Sequence, residues 1–261
     1  MYFSGIDLGS SYSKAVIIDE NKKIVSDCIR KTGLSFEKIS EIVFNAALKK
    51  RNISKKEVVS VVTTGVGRNN CPFSDFSKSE ISCFAKGCFH YFPGGSIIVD
   101  IGGQDNKIIK ISENGRQVYF KMNRKCAAGT GSFLEEISIR LGISQKRMNS
   151  MAKKAYKSVE IGSYCTVFTC TEIIHHIRTG KNINEILRGV FESVVKRILE
   201  MDPFEEKAIL TGGVIANNPV IVDIFKEKLE HSFLVPPNPQ TIGAFGAAIY
   251  AFENYLSSKV S

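Results

Sequence analysis

Asp7-Leu8-Gly9-Ser10-Ser11-Tyr12-Ser13-Lys14 and Asp100-Ile101-Gly102-Gly103-Gln104-Asp105-Asn106-Lys107 share one pattern, Asp-x-Gly-x-x-x-x-Lys, at an offset of 93 residues. The flanks repeat with them. Apolar segments at Tyr2–Ile6 and Ser96–Val99 precede the strings, and Ala15–Ile18 and Ile108–Ile111 follow. Glu20-Asn21 and Glu113-Asn114 then mark a second turn before a third segment. Short apolar runs broken by turn residues read as strands, so each string is the tight turn of a β-meander. A repeat of this kind divides the chain into two halves, 1–94 and 95–261, with a cleft between them as the natural ligand site.

Helical periodicity follows each meander. Ser35–Arg51 carries Phe36, Ile39, Ile42, Val43 and Ala46 at helical spacing behind a candidate N-cap, Ser35. Glu80–Tyr91 is a second helix. Gly131–Leu141 sets Phe133, Leu134, Ile137 and Leu141 on one face. Further helices are expected at 145–154, 167–178, 183–199, 218–230 and 240–256. Short strands at 58–63 and 207–211 feed glycine turns at Gly65 and Gly212. The fold class is α/β.

The turns have a chemical use. Glycine lets backbone approach a ligand closely, and turn amides can face phosphate oxygens. Asp7 is placed to hold Mg²⁺, which keeps several waters and takes one or two carboxylates. Lys14 is placed to reach back over the turn toward β- and γ-phosphates as a point charge. One Asp-x-Gly marks little more than a hairpin; two symmetric copies in one chain are a stronger signal. Thr211-Gly212-Gly213-Val214, between a strand and a helix, offers backbone on which a flat nucleotide can lie.

Composition limits the alternatives. The 261 residues are 43% hydrophobic and 23% charged, the balance of a globular protein rather than a disordered one. The longest apolar runs are strand-length, far short of the ~20 residues that span a bilayer. Asp7 interrupts the apolar run a signal peptide would need, so a cytoplasmic protein is expected. The net charge of +9 comes from scattered lysines, and the chain has no Trp. That reads as a lysine-rich surface, or as a basic face for an acidic partner, rather than a nucleic-acid site.

Seven cysteines argue against a disulfide framework in such a chain. Cys126, in Lys125-Cys126-Ala127-Ala128-Gly129-Thr130-Gly131, and Cys165, in Tyr164-Cys165-Thr166-Val167-Phe168, both precede expected helices. A helix N-terminus favours a thiolate and a negatively charged centre. Two thiolates are too few for a cubane cluster, which usually takes four, and a two-fold dimer supplies the rest. Cys28, Cys71, Cys83 and Cys88 match no ligand pattern. Cys170, five residues past Cys165, points about 140° away from it on a helix and reads as a buried filler. His175-His176 are adjacent on a helix and face different sides, so they read as no metal pair.

Asp7-Leu8-Gly9-Ser10-Ser11, Asp100-Ile101-Gly102-Gly103-Gln104-Asp105 and Thr211-Gly212-Gly213-Val214 resemble the phosphate-1, phosphate-2 and adenosine motifs of the actin–hexokinase–Hsp70 ATPase superfamily. That resemblance implies two ribonuclease-H-like (actin-like ATPase) domains around a nucleotide cleft. Asp7 and Asp100 would then anchor Mg²⁺, directly or through water, and Gln104 would orient the attacking water.

Within the superfamily, Met122 through Glu135, Cys165-Thr166-Val167-Phe168, Thr64 through Arg68, Glu80-Ile81 and Gly243 through Ala247 resemble the activases of 2-hydroxyacyl-CoA dehydratases. The wider group includes ATPase subunits of benzoyl-CoA reductases and reductases of double-cubane-cluster proteins. The resemblance spans essentially the whole chain. It implies ATP/ADP binding at Gly9, Ser10, Ser11, Gly102, Gly103, Gly129, Thr130, Gly131, Gly212, Gly213 and Val214. Catalysis would fall to Asp7, Asp100, Gln104 and Lys14. One [4Fe-4S] cluster would bridge a homodimer through Cys126 and Cys165 of each subunit. A reduced ferredoxin or flavodoxin would supply an electron, ATP would close the cleft about hinges at Gly129 and Gly131, and a dehydratase or other iron–sulfur component would receive it. One departure is Thr169-Cys170-Thr171-Glu172, where family members usually carry Ala-Glu-Ser or similar. Two other classes compete: a small-molecule kinase of the same superfamily, which would be colourless, and a non-catalytic cluster sensor, which would not turn over nucleotide.

Overall fold

Each Asp-x-Gly string closes an antiparallel hairpin in the computed structural model, which describes residues 1–123, 126–162, 165–204, 207–230 and 232–260. In the first, β1 (Tyr2–Leu8) pairs with β2 (Tyr12–Ile18) so that Asp7 stands opposite Lys14. β3 (Ile24–Lys31) continues the meander on β2. α1 (Phe36–Lys49) begins where the Ser35 hydroxyl accepts from the Lys38 amide, as the N-cap preference demands. Its core face is Ile39, Val43, Phe44, Ala47 and Leu48, whereas Ile42 is 52% exposed. The expected stripe through Ile42 was therefore rotated toward solvent by about a residue. β4 (Val58–Thr64) then runs parallel to β1, with Thr64 opposite Asp7, and β5 (Phe76–Ser77) adds a short parallel edge. α2 (Glu80–Tyr91), capped by Ser79, follows.

The second half repeats this order. β6 (Ser96–Ile101), β7 (Asn106–Ile111) and β8 (Gln117–Asn123) come first. α3 (Gly131–Leu141), α4 (Gln145–Ala152), α5 (Thr166–Arg178) and α6 (Ile183–Met201) follow. β9 (Ala208–Thr211) returns parallel to β6, with Thr211 opposite Asp100. The helix expected at 218–230 is α8 (Pro219–Lys228), with Pro219 at its first position, and a short α7 (Gly213–Asn217) that the periodicity did not show precedes it. β10 (Phe233–Leu234) and α9 (Ile242–Val260) complete the chain.

The sheets run β3-β2-β1-β4-β5 and β8-β7-β6-β9-β10, the same order built twice. This is the two-domain α/β architecture of actin-like ATPases. Among the described residues, no helix is long and apolar enough to cross a membrane.

The chain divides into two compact units, residues 1–95, 111–118 and 241–261, and residues 96–110 and 119–240. The first crossing falls one residue past the boundary placed at 94. The linear division did not include the return of α9 to the first unit. α9 is there because small residues let backbone meet backbone: a Cβ on Gly5 would strike the Ala244 carbonyl and Ala248 amide, and one on Gly246 the Cys83 carbonyl. The second unit has its own core, in which Phe133, Leu134 and Ile137 of α3 meet Val190, Phe191 and Val194 of α6.

Candidate functional site

In the first unit, the hairpin turn is built around one ion pair. Lys14 Nζ donates to Asp7 Oδ2 at 2.8 Å, and both side chains are largely shielded. The cross-strand register puts them face to face, so Lys14, expected to reach for phosphate, neutralises Asp7 in this state. Two glycines crowd the same carboxylate. A Cβ on Gly65, whose φ is +93°, would lie 2.7 Å from Asp7 Oδ1, and one on Gly243 would lie 3.5 Å from Oδ2. Only glycine takes that φ without strain. Gly9 is half-buried, Ser10 exposed and Ser11 half-buried, so this turn presents backbone and hydroxyls to solvent. The turn is held from behind: Ser13 Oγ and Thr32 Oγ1 share a hydrogen bond of 2.9 Å, and Thr32 Oγ1 donates to the Gly9 carbonyl at 2.6 Å.

The second unit uses the same plan with one acid more. Lys107 Nζ lies 3.1 Å from Asp100 Oδ2 and 3.0 Å from Asp105 Oδ1. Lys107 is 3% exposed and Asp100 2%. A buried ammonium between two carboxylates is held from both sides, and either acid alone still pairs it. Thr211 Oγ1 donates to Asp100 Oδ1 at 3.4 Å. Gly212, with φ +98°, would put a Cβ 2.6 Å from the same oxygen. Thr64-Gly65 and Thr211-Gly212 are thus matching second layers of the repeat. Sequence reading marked both glycine turns but did not pair them, although Thr-Gly after an apolar strand was the available signal.

The second hairpin also carries the start of α3. The Gly131 amide donates to the Gly102 carbonyl at 2.9 Å and the Ser132 amide to the Gly103 carbonyl at 2.8 Å. Two amides that a helix start leaves open are satisfied by the turn. A Cβ on Gly131 would be 3.2 Å from Gly103 Cα and 3.4 Å from a Val214 methyl, so hairpin, α3 and the Gly212–Val214 turn converge here. Gln104 is exposed at the tip. Gly129 and Thr130 are buried, and Thr130 Oγ1 donates to the Ala127 carbonyl at 2.5 Å.

The cysteines separate into two groups. Cys126 and Cys165 are half-exposed; the other five are buried. Cys165 is the N-cap residue of α5, as expected. Cys126 is not at the first turn of α3, whose N-cap is Thr130. It sits one turn earlier, in a bend where the Ala128 amide donates to its Sγ at 3.4 Å. Arg124 and Lys125 of its motif, and Tyr164 before Cys165, lie outside the described residues. Cys170 is 5% exposed in the second core, and burial pushes its thiol up. Cys83, fully buried, is pushed up to about 12 by the same cause. Both are neutral thiols that fill space. The His175 and His176 rings meet edge to face at 5.8 Å. Among the described residues no group of three or more His, Cys, Asp or Glu side chains gathers to hold a metal ion.

A family model, the BadF/BadG/BcrA/BcrD ATPase family, matches residues 4–251. The activator of lactoyl-CoA dehydratase from Anaerotignum propionicum is 39% identical over 256 residues, 97% of this chain and 98% of that protein. The activator of the 2-hydroxyisocaproyl-CoA dehydratase from Clostridium difficile, solved with bound ADPNP, superposes with a TM-score of 0.92 at 35% identity, covering 99% of this chain and 97% of the other. A ROK family glucokinase from Streptomyces griseus, in complex with glucose and AMPPNP, has a TM-score of 0.57 at 13% identity, covers 97% of this chain and 100% of its own, and shares the fold alone.

Proposed function

The chain belongs to the BadF/BadG/BcrA/BcrD ATPase family, and from that premise we propose that it is the ATP-driven activator of a 2-hydroxyacyl-CoA dehydratase or related iron–sulfur enzyme. The observation that carries the proposal is the division of its cysteines. Two thiols of seven are half-exposed, and both belong to the unit that holds the second phosphate hairpin.

ATP hydrolysis belongs to the two hairpins. Gly9, Ser10 and Ser11, and Gly102 and Gly103, offer backbone and hydroxyl groups for phosphate oxygens. Gly212, Gly213 and Val214 offer a backbone surface for adenosine, with Gly129, Thr130 and Gly131 behind it. Asp7 and Asp100 fit a Mg²⁺ site in their chemistry: each is a shielded carboxylate at a hairpin turn, and each is charge-balanced by the lysine of its own repeat. They would hold the ion directly or through water, and it would supply charge neutralisation during hydrolysis. Gln104, at the exposed tip, orients the water.

Cys126 and Cys165 fit thiolate ligation because solvent or a second chain can reach both. With the same pair from a second copy they would make the four ligands of a [4Fe-4S] cluster, and the working form would be a homodimer. When bound, that cluster would supply a low-potential electron, for which a ferredoxin or flavodoxin would be the donor and the dehydratase the acceptor. Cys126 and Cys165 would fix its position at the subunit boundary, and Cys170 takes no part.

The test is activation of an inactive 2-hydroxyacyl-CoA dehydratase component with reduced ferredoxin. The dehydratase is expected to turn over with Mg·ATP and not with Mg·ADP. Cys126→Ala and Cys165→Ala are each expected to lose activation at least ~100-fold, as removal of a cluster ligand does far more than trim a binding contact. Equal activation with ADP, or by both cysteine variants, would overturn the proposal.

A further inference from the structure

The two hairpins bury different polar residues at one matching position. The residue before the repeat lysine is Ser13 in the first and Asn106 in the second. Ser13 fastens its hairpin to Thr32, within the first sheet. Asn106, fully buried on β7, reaches further: its Nδ2 donates to the Gly129 carbonyl at 3.0 Å. Gly129 belongs to the bend that runs from Cys126 to the N-cap of α3, and its φ of +77° keeps it glycine.

Asn106 adjoins Lys107, the ammonium that Asp100 and Asp105 share. A second connection runs beside it, where Ser132 Oγ donates to the Gly103 carbonyl at 2.7 Å. The α3 end of the Cys126 bend is therefore tied to the second phosphate hairpin twice over, by Asn106 to Gly129 and by the start of α3 to Gly102 and Gly103. The Asn106 Oδ1, buried as well, accepts no hydrogen bond in this state. A buried amide with one end unsatisfied is held in place by the bond at its other end.

We propose that Asn106 is the positioning residue that makes the Cys126 bend follow the second phosphate hairpin. The inference rests on the nucleotide and cluster reading given above, and it adds a residue that contacts neither. A nucleotide that shifts the hairpin moves Asn106 with it, and the Gly129 carbonyl carries that shift to the cysteine. In the first repeat, Ser13 is too short for such a link and has no cysteine bend to serve.

The test is amide hydrogen exchange across residues 126–132 of the full-length protein with Mg·ADP and with Mg·ADPNP. One neutral hydrogen bond changes a local equilibrium roughly two- to tenfold. The wild-type bend is expected to differ about fivefold in exchange between the two nucleotides, within that range. Asn106→Ser is expected to reduce the difference below about twofold, with unchanged nucleotide affinity; Ser13→Ala is expected to retain it. A bend that responds equally in Asn106→Ser overturns the proposal. So does a wild-type bend that exchanges identically with both nucleotides, a result that needs no variant to fold. Iron measured on the same samples keeps the two claims apart. Iron-free protein whose bend still responds through Asn106 defeats the electron-delivery reading alone. Iron-loaded protein whose Asn106→Ser variant responds normally defeats the positioning role alone.

Discussion

Asp100→Asn is expected to slow ATP hydrolysis by at least ~100-fold at saturating Mg²⁺ and nucleotide while leaving the protein folded, because a Mg²⁺ ion held at the reacting phosphates is worth several kcal/mol and this carboxylate would hold it. The side chain keeps its size, and its remaining oxygen can still accept from Thr211 Oγ1. The charge does not survive. An amide in its place no longer offers a carboxylate to Mg²⁺. Lys107 retains Asp105 at 3.0 Å, so the variant is spared the cost of a wholly unpaired buried cation. That is why the loss should appear in turnover rather than in melting. Steady-state hydrolysis over a Mg²⁺ series, with a melting curve on the same preparation, separates the two. A variant that hydrolyses ATP at the wild-type rate would remove Asp100 from the catalytic assignment.

The second large effect is structural. Gly246→Ala is expected to destabilise the protein by about 3 kcal/mol, the upper part of the usual range for overpacking. The added methyl would strike the Cys83 carbonyl, with Cys83 Cα at 3.0 Å. Neither atom can rotate away, since both are backbone of α2. At about 2–4 °C per kcal/mol for a chain this long, the melting temperature should fall by roughly 6–12 °C. The neighbouring contact is close as well: a Cβ on Gly87 would lie 2.6 Å from the Ile242 carbonyl. Melting of Gly246→Ala within 2 °C of the wild type would mean that α2 and α9 do not cross at van der Waals contact. The assignment of α9 to the first unit would then lose its physical basis.

The hairpins were legible in the sequence because their signal is local: Asp, Gly and Lys recur at fixed spacing between apolar strands. Most helices were legible for the same reason. Ser35, read as a cap, bonds the third helical amide as expected, and Ser79 and Ser144, not singled out in the sequence, do the same for their helices. What was not legible depends on partners far along the chain. The glycine and alanine run from Gly243 to Ala247 announced close packing, but nothing local says that its partners are Gly5 and Cys83. In the site, Lys14 was given to phosphate because its reach was known and its register with Asp7 was not. Asn106 gave no sequence signal, since one buried polar residue on a strand resembles any other until its partner, Gly129, is known.

The central proposal is that Cys126 and Cys165 of two copies of the chain would together hold one [4Fe-4S] cluster, which would carry the electron. Iron and acid-labile sulfide, counted per chain on anaerobically purified protein of known native mass, test it most directly. The account predicts a dimer with about two irons and two sulfides per chain, one four-iron cluster for each pair of subunits. A colourless, iron-free protein that binds and hydrolyses ATP would contradict it.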